Sequence, residues 1–374
     1  MIVVEFFFWA SLAGILWTHV GYPLAAAALA RVHTRHVRKD DVTPSVAVIV
    51  PAHDEEDVIA RRLDNLLALD YPPEQLEIIV ASDASTDGTD AIVHEYAERD
   101  PRIRLLELPR GGKLAALNRA VAESEREVVA FSDANSKWAP DALRRLVRNL
   151  ADPEVAYVCG KLRLERPDGT NREGIYWRYE LWLRASESRL GSITGGNGSI
   201  YGIRRSDYAD APYGHDLSFP PLAVKRGRRA VYEPEAVAYE KPTPESADEF
   251  RRKVRMLPWS WGFLLSGNAL RGVPPVYALE LVSHRHLRYA SGVLHVVLLA
   301  TNIALVGEGP VYQVALGLQA AWVVLAGAGR LRAPIPGAGI AHYYLLMTTA
   351  TLASLVRYLR SGASLTWEKA EGTR

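Results

Sequence analysis

The sequence predicts an α/β protein, a doubly wound and mostly parallel sheet with flanking transmembrane helices. Two observations carry this prediction. Between residues 45 and 150, short apolar runs of strand length alternate with amphipathic runs of helix length, a pattern typical of a parallel sheet covered by helices on both faces. Both ends of the chain hold uncharged apolar runs of about 20 residues, the length that crosses a bilayer.

Composition excludes several function classes. The 374 residues hold 44 Lys and Arg against 43 Asp and Glu, a formal net charge of +1. This balance provides no basic field for nucleic acid, so no nucleic-acid partner is expected. The single cysteine, Cys159, excludes an internal disulfide and a cysteine-built zinc site. We expect it to be a small residue in a buried strand.

The first apolar run predicts a membrane anchor. Residues 6–30 contain no Asp, Glu, Lys or Arg. A cleaved signal peptide would need a basic leading segment and a shorter apolar core, whereas only Glu5 precedes this run. Residues 1–30 are therefore interpreted as a retained transmembrane anchor. The basic linker that follows, residues 31–44, predicts a cytosolic side for the next domain, through Arg31, Arg35, Arg38 and Lys39.

Residues 45–257 are predicted to form one cytosolic domain. Four apolar runs rich in β-branched residues are predicted strands, at 46–50, 76–82, 103–108 and 127–133. The amphipathic runs between and after them are predicted helices, at 56–69, 89–99, 113–124 and 139–150. Because parallel strands end at the same edge of a sheet, the polar side chains that follow them are expected to share one crevice.

Carboxylates recur at these strand ends. Asp54 and Asp83 follow the first and second strands, and Asp133 ends the fourth. A crevice lined by acids suits a metal cation, or hydrogen-bond donors such as a base edge and ribose hydroxyls. Taken alone, Asp133 is equally well explained as a cap on the next turn. The glycine patterns of ordinary dinucleotide and P-loop sites do not follow the first strand.

Four motifs in this order and spacing resemble family 2 glycosyltransferases: VIVPAHDEE (48–56), ASDASTDGT (81–89), RGGKLAALNRA (110–120) and FSDAN (131–135). The likeness continues through TGGNGSIYGIRR, YGHDL and RGRRAVYEPEAVAYE, and it covers roughly residues 45 to 260. The resemblance implies an inverting enzyme with the nucleotide-sugar-binding fold of GT-A type that cellulose and hyaluronan synthases share. It also implies a nucleotide-diphosphate sugar as donor.

The resemblance implies which residues hold the donor. Ala52, Asp54 and Asp83 match positions that bind the nucleotide base and ribose. Lys113 would lie near the phosphates as a point charge. A solvated lysine after the Gly-Gly turn is the alternative for Lys113.

Asp133 and Asn135 match the DxD pair, which engages the diphosphate through a divalent cation, Mg²⁺ or Mn²⁺. Asn135 departs from the pattern, because it offers a neutral oxygen where many relatives have a carboxylate. Mg²⁺ commonly takes one or two carboxylates plus substrate phosphates, so the departure bears on metal affinity rather than on metal use.

The acceptor side is implied by two further motifs. Asp216, in GHDL, matches the catalytic base, although His215 stands where relatives usually have an acid. A buried or capping aspartate is the alternative. Gly196 and Asn197, in TGGNGSIYGIRR, would form the acceptor-side wall, since glycines allow close approach of the backbone. The same glycines are equally compatible with turns beside a strand.

The segment from residue 249 to 261 occupies the place of the QxxRW motif of the family, but it contains no Gln, and its Arg255 and Trp259 are not adjacent. Arg251, Arg252 and Arg255 are candidates for contacting a diphosphate, with Trp259 beside them. A basic, Trp-rich helix at the membrane surface is an alternative that is compatible with this role. The missing motif argues against processive polymer synthesis.

The last third of the chain is predicted to be membrane-associated. Residues 258–285 are interpreted as an interfacial amphipathic segment, and residues 286–359 as about three spans, at 287–306, 311–329 and 338–356, before a polar tail at 360–374. Arg330 and Arg332 mark a cytosolic loop, but Arg357 and Arg360 then place positive charge where simple alternation predicts the outside. Either the last segment is re-entrant or interfacial, or the C-terminus is external.

These patterns predict an integral protein of the cell inner membrane with a cytosolic catalytic domain. It would move a sugar to a lipid-linked or glycan acceptor in cell-surface polysaccharide or glycolipid biosynthesis. One alternative is a non-catalytic membrane subunit that keeps the fold as an interaction platform. Another is a nucleotidyltransferase on a related sheet, which would need a Gly-rich, Arg-containing loop after the first strand. PAHDEE is not such a loop.

Overall fold

The computed structural model describes residues 1–165, 174–211, 213–241 and 246–362. By their internal contacts they divide into two units. The membrane unit comprises Met1–Ala28, Glu245–Asn268 and Pro275–Ala363, and the sheet unit comprises Leu29–Pro244 with Ala269–Pro274. The sequence suggested a boundary at 257/258, and the helix Ser246–Leu265 runs through that position.

The sheet confirms the predicted fold class. The described residues form one sheet of eight strands in the order β3-β2-β1-β4-β7-β6-β8-β5. Pairs β3/β2, β2/β1, β1/β4 and β6/β8 are parallel, and β4/β7, β7/β6 and β8/β5 are antiparallel. The strands are β1 (Val46–Ala52), β2 (Leu76–Asp83), β3 (Ile103–Leu108), β4 (Val128–Phe131), β5 (Lys137–Trp138), β6 (Val155–Leu164), β7 (Tyr201–Arg204) and β8 (Arg229–Glu240).

The four helices predicted between residues 56 and 150 lie close to observed ones. They are α1 (Ile2–Leu16), α2 (Tyr22–Val32), α3 (Glu56–Leu67), α4 (Thr89–Arg99), α5 (Lys113–Ala122), α6 (Ala142–Val147), α7 (Ile175–Leu190), α8 (His215–Lys225), α9 (Ser246–Leu265), α10 (Pro275–Leu281), α11 (Leu287–Tyr289), α12 (Ser291–Leu305), α13 (Pro310–Arg330) and α14 (Ala338–Ser361). Helix α6 begins three residues later than predicted, after Pro140, and continues as a 3₁₀ turn at Arg148–Ala151. Strand β4 ends two residues early because the chain turns, and the Ser136 N–H donates to the Asp133 carbonyl at 3.2 Å.

Alternation along the central strands builds two apolar cores. In β1, Val46, Val48 and Val50 face one core, and Ala47 and Ile49 face the other. Helices α3, α4 and α6 contribute to the first core, and helices α5, α7 and α8 contribute to the second. Because both faces of β1 are covered, the strand is apolar without interruption, as expected for a central parallel strand.

The basic linker is tied to the sheet unit. The buried Arg229 guanidinium donates to the carbonyls of Arg35 at 2.9 Å and His36 at 3.1 Å. Lys39 Nζ lies 2.8 Å from the fully buried Glu233 carboxylate. The start of the sheet unit is therefore fixed by side chains that sequence periodicity does not reveal.

The membrane unit is helical. Among the described residues, three helices are long and apolar enough to cross a membrane: Ile2–Val32, Pro310–Arg330 and Ala338–Ser361. A fourth candidate is the pair Pro275–Tyr289 and Ser291–Leu305, which is bent by 66°. The span predicted at 287–306 is thus broken at Ala290, and the bend is the geometry of a broken span or a re-entrant loop. Within this unit Trp261 on α9 donates to the Thr351 carbonyl of α14 at 3.1 Å.

Candidate active site

The strand order creates a crevice at one edge of the sheet. Strand β1 pairs with β2 on one side and with β4 on the other, so the chain changes direction across the sheet at β1. In open α/β sheets, ligands bind outside the carboxyl ends of the strands at such a switch point. Ala52 ends β1 opposite Ser82 of β2. The whole residue is buried, backbone included, so its contact with the donor stays a prediction.

Asp54 follows β1 in a strained turn. Its φ is 53°, in the left-handed region, and Ala84 after β2 has a φ of 55°. Such non-glycine positions are uncommon and cluster at functional sites. The Asp54 carboxylate accepts the Thr86 N–H at 2.6 Å. This bond is the main cause that lowers the pKa of Asp54, with smaller help from His53. The loops after β1 and β2 therefore fix each other through an ionised carboxylate.

Asp83 positions the next loop rather than lining the crevice. Its carboxylate accepts the Gly111 N–H at 2.6 Å and the Gly112 N–H at 3.0 Å. Arg110 Nη1 donates to it at 3.0 Å. The side chain is 1% exposed. Gly112, with a φ of 86°, supplies the left-handed turn before α5. Asp83 thus holds Lys113 at the start of that helix.

Lys113 and Asp133 meet in the crevice. Lys113 Nζ forms an ion pair with Asp133 Oδ1, and both side chains are partly exposed. Asn135 lies two residues on, in the same turn, and is also partly exposed. A Cβ on Gly198 would lie 3.5 Å from Asp133 Oδ2 and 3.7 Å from Lys113 Nζ. The glycine-rich loop, from Gly196 to Gly198, therefore passes close to this ion pair.

Glu240 was missed by the sequence analysis. It is the last residue of β8, and its Oε1 accepts the Ser136 hydroxyl at 2.5 Å. Burial, and then the charge of Asp133, raise the pKa of the Glu240 carboxyl. Burial lowers the pKa of Lys113, but Asp133, Asp216 and Glu240 together raise it by more. Three carboxylates thus act on one ammonium group.

The buried side of the glycine-rich loop is held in place by hydrogen bonds and close packing. Asn197 is buried, and its Nδ2 donates to the Gly160 carbonyl at 2.8 Å while its Oδ1 accepts the Ser199 N–H at 3.0 Å. A Cβ on Gly196 would lie 2.2 Å from the Tyr157 hydroxyl, so only glycine fits there. Asn197 consequently shapes the loop from inside, and Gly196 lets it pack.

Asp216 lies in the first turn of α8 and is partly exposed. Its carbonyl accepts the Gly196 N–H at 2.7 Å. A Cβ on Gly214 would lie 2.7 Å from Asp216 Oδ1, so glycine at 214 leaves room for the carboxylate. The loop from Gly196 to Gly198 therefore connects Asp216 to the pair of Lys113 and Asp133.

His215 belongs to an aromatic cluster. Its ring stacks on Phe219 at 4.3 Å, and its Nδ1 lies 2.9 Å from the Tyr201 hydroxyl. Burial, and secondarily Lys113, lower the pKa of His215 to about 3. The imidazole is therefore neutral at ordinary pH, and it anchors α8 where relatives usually carry an acid.

A buried arginine supports the turn after β4. Arg62 on α3 is 1% exposed, and its guanidinium lies 4.9 Å from the Trp138 ring centroid. Nη1 donates to Asn65 at 2.5 Å, whereas Nε and Nη2 have no hydrogen-bond partner among the described residues. Burial lowers the pKa of Arg62 to about 9 against the opposing charges of Asp133 and Glu240. Amphipathic spacing alone could not have distinguished this residue from a solvated one.

The arginines predicted to contact phosphate belong to the membrane unit. On α9, Arg251 pairs with Asp248, and Arg252 donates to Glu249 at 3.0 Å. Arg251, Arg255 and Trp259 lie four residues apart and therefore on the same face of that helix. Their role toward a ligand stays a prediction.

The crevice has carboxyl oxygens of the kind that a divalent cation binds. Asp133, Asp216 and Glu240 act on Lys113, and Asp133 and Glu240 also act on Arg62. No three His, Cys, Asp or Glu side chains converge on one point within the part of the chain that is described. A cation would therefore need oxygens from its ligand as well, which is how Mg²⁺ is commonly bound with phosphates. The residues present fit that arrangement.

Known proteins with similar sequences share this region. The model of the family described as glycosyl transferase family 2 matches residues 47–210. The chain is 40% identical over 240 residues to the probable glycosyltransferase YdaM of Bacillus subtilis (strain 168), covering 59% of this chain and 55% of that protein. It is 30% identical over 165 residues to a beta-monoglucosyldiacylglycerol synthase of Synechocystis, covering 42% of this chain and 34% of that protein. In both cases the matched part is less than two thirds of the relative.

A solved structure resembles nearly the whole chain. It is a mannosyltransferase from Pyrobaculum calidifontis in complex with GDP-Man and Mn²⁺. The TM-score is 0.72 at 26% identity, and the match covers 95% of this chain and 99% of that one.

Proposed function

Residues 47–210 are a family 2 glycosyltransferase domain, and from this premise we propose that the chain transfers a sugar from a nucleotide-diphosphate sugar to a membrane-proximal or lipid-linked acceptor, with inversion. The family match confirms the resemblance found in the motifs. The observation that carries the proposal is the convergence of Lys113 and Asp133 with the loop that binds Asp216. The missing QxxRW motif favours the addition of one or a few sugars.

Asp216 acts as the base in this proposal. Its carboxylate takes the proton from the acceptor hydroxyl, and the freed oxygen attacks the anomeric carbon. The bond to the diphosphate breaks on the opposite face, so the configuration inverts. Lys113 offers a fixed positive charge to the leaving diphosphate, and the loop at Gly196 lets the acceptor come close. A bound Mg²⁺ or Mn²⁺, held by Asp133 and Asn135 with the diphosphate, would neutralise the charge on that leaving group.

The donor nucleotide is proposed to lie along the ends of β1 and β2. The partly exposed Asp54 carboxylate accepts a hydrogen bond from the base or ribose there. Ala52 is fully buried at the end of β1 and acts through the position it gives the chain. Asp83 acts indirectly, because its carboxylate is occupied by the loop from Arg110 to Gly112. Donor binding thus depends on Asp83 through the position of Lys113.

Release of nucleoside diphosphate tests this function. The purified full chain is incubated with a panel of nucleotide sugars, beginning with GDP-mannose, in Mg²⁺ or Mn²⁺ and in excess chelator. We expect release with at least one donor and none in chelator. No release from any donor would instead favour a non-catalytic membrane subunit.

We expect the sheet unit to lie in the cytosol, because four cationic residues within nine positions follow the first span. A reporter fused after Lys39 should therefore read cytosolic. In the full chain, Glu98→Cys provides an independent test, since the Glu98 side chain is 71% exposed. A membrane-impermeant maleimide should label this variant only after lysis.

The wild-type chain is the matched control, because its own Cys159 is fully buried. Labelling of Glu98→Cys in intact cells would place the domain outside. Nucleotide sugars are mainly cytosolic, so that result would contradict the assignment of the donor.

A further inference from the structure

The turn after β4 carries one carboxylate and one amide. Asp133 is charged, but Asn135 offers only a neutral oxygen. A divalent cation prefers oxygen ligands with negative charge, and the number of charged ligands tunes its affinity. Among the described residues, Glu240 is a second carboxylate that lies against this turn.

Sheet register brings Glu240 to this place. Strand β8 pairs antiparallel with β5, so that Lys137 faces Tyr239 and Trp138 faces Ala238. The next position on each strand brings Ser136 opposite Glu240. The Ser136 hydroxyl donates to Glu240 Oε1 at 2.5 Å, and the Ser136 N–H bonds the Asp133 carbonyl at 3.2 Å. The Glu240 carboxylate is thereby fixed on the same turn that carries Asp133 and Asn135.

A purely structural role does not use the whole carboxylate. The hydroxyls of Ser136 and Ser199 occupy two of about four lone-pair sites that an ionised carboxylate offers. A neutral acceptor would hold these two serines equally well. A negative charge beside Asp133 is unfavourable unless a cation shares it. Around the turn, three carboxyl groups face only two basic groups, the partly exposed Lys113 and the buried Arg62.

We propose that Glu240 supplies the second carboxylate of the divalent-cation site, the charge that Asn135 does not carry. The inference rests on the proposed function, because it assigns a residue to the cation of that reaction. It extends the site from the turn after β4 to the end of β8.

The test measures Mn²⁺ binding by the full chain with electron paramagnetic resonance. The probes are Mn²⁺ alone, Mn²⁺ with GDP and Mn²⁺ with UDP. Glu240→Gln keeps the size of the side chain and an oxygen for Ser136 but removes the charge. We expect it to weaken Mn²⁺ binding by at least about 10- to 100-fold, the range found when even an indirect partner of a metal ligand is lost. The double variant Asn135→Asp with Glu240→Gln should restore the affinity, because it returns the charge to the turn.

Glu235→Gln is the matched control. Glu235 lies on the same strand, and its exposed carboxylate pairs with Arg145 and Arg148 on the surface. We expect Mn²⁺ binding by this variant to equal that of the wild type. Wild-type affinity in Glu240→Gln would overturn the inference while leaving the proposed function intact. No Mn²⁺ binding by the wild type with any probe would overturn both.

A second measurement does not depend on a variant that folds. Crystals of the wild-type chain soaked with Mn²⁺ and nucleotide should show anomalous density in contact with the Glu240 carboxylate. Density that contacts Asp133 and not Glu240 would overturn the inference.

Discussion

Asp133→Ala should lower the release of nucleoside diphosphate to below about one thousandth of the wild-type rate, because cation chemistry contributes several kcal/mol to the stabilisation of the leaving group. The variant loses the carboxylate after β4 that forms an ion pair with Lys113. Asn135→Asp adds a charge to the same turn instead. We expect it to keep activity and to reach half-maximal rate at a lower Mn²⁺ concentration.

Two controls separate the charge from the fold. Asp133→Asn keeps the size of the side chain and should lose nearly as much activity as the alanine variant. Asp57→Ala removes an exposed carboxylate of α3 and should be silent. Rates are measured per folded molecule, with thermal unfolding on the same preparation. Full wild-type activity in excess chelator would contradict the assigned role of Asp133.

Asp216→Asn should lower transfer by roughly 10²- to 10⁴-fold, the range attributed to general base catalysis. Asn has nearly the same size, and the bond from the Gly196 N–H goes to the backbone carbonyl of residue 216, so the loop stays in place. An interaction made only in the transition state lowers kcat without raising the KM for the donor. Donor affinity should therefore change little.

Asp207→Asn is the contrasting control. Asp207 is mostly buried and lies 3.6 Å from Arg228, so its loss should lower thermal stability and the yield of folded protein. Its rate per folded molecule should stay normal. If Asp216→Asn behaves like Asp207→Asn, with turnover within a few-fold of wild type, then Asp216 is a structural aspartate.

Sequence patterns predicted the parts of the site that depend on local chemistry. Apolar β-branched runs marked β1 to β4, and the rule that parallel strands end at one edge predicted the crevice that holds Lys113 and Asp133. The ion pair of Lys113 with Asp133 was not predicted, because the strands they follow, β3 and β4, are separated in the sheet by β2 and β1. The fold class was predictable as well, because apolar runs of strand length alternate with amphipathic runs of helix length along the sequence.

Other features depend on partners distant in sequence. The Asp83 carboxylate is occupied by Gly111 and Gly112, a contact that no periodicity encodes. Glu240 was not predicted, because β5, the strand that brings it to the turn, is only two residues long and has no recognisable strand pattern. Its one signal was an apolar strand ending on an acid, the same signal that Asp133 gave. His215 departed from the family pattern because it packs in an aromatic cluster, which is a tertiary property.

The most direct test of the account is the anomeric configuration of the transferred sugar, determined by proton NMR on the product of the full chain. A donor whose sugar is α-linked to the diphosphate should give a β-linked product. The amount formed in a fixed time should fall at least about 100-fold with Asp216→Asn, and no product should form in excess chelator. An α-linked product would contradict a single displacement with Asp216 as the base.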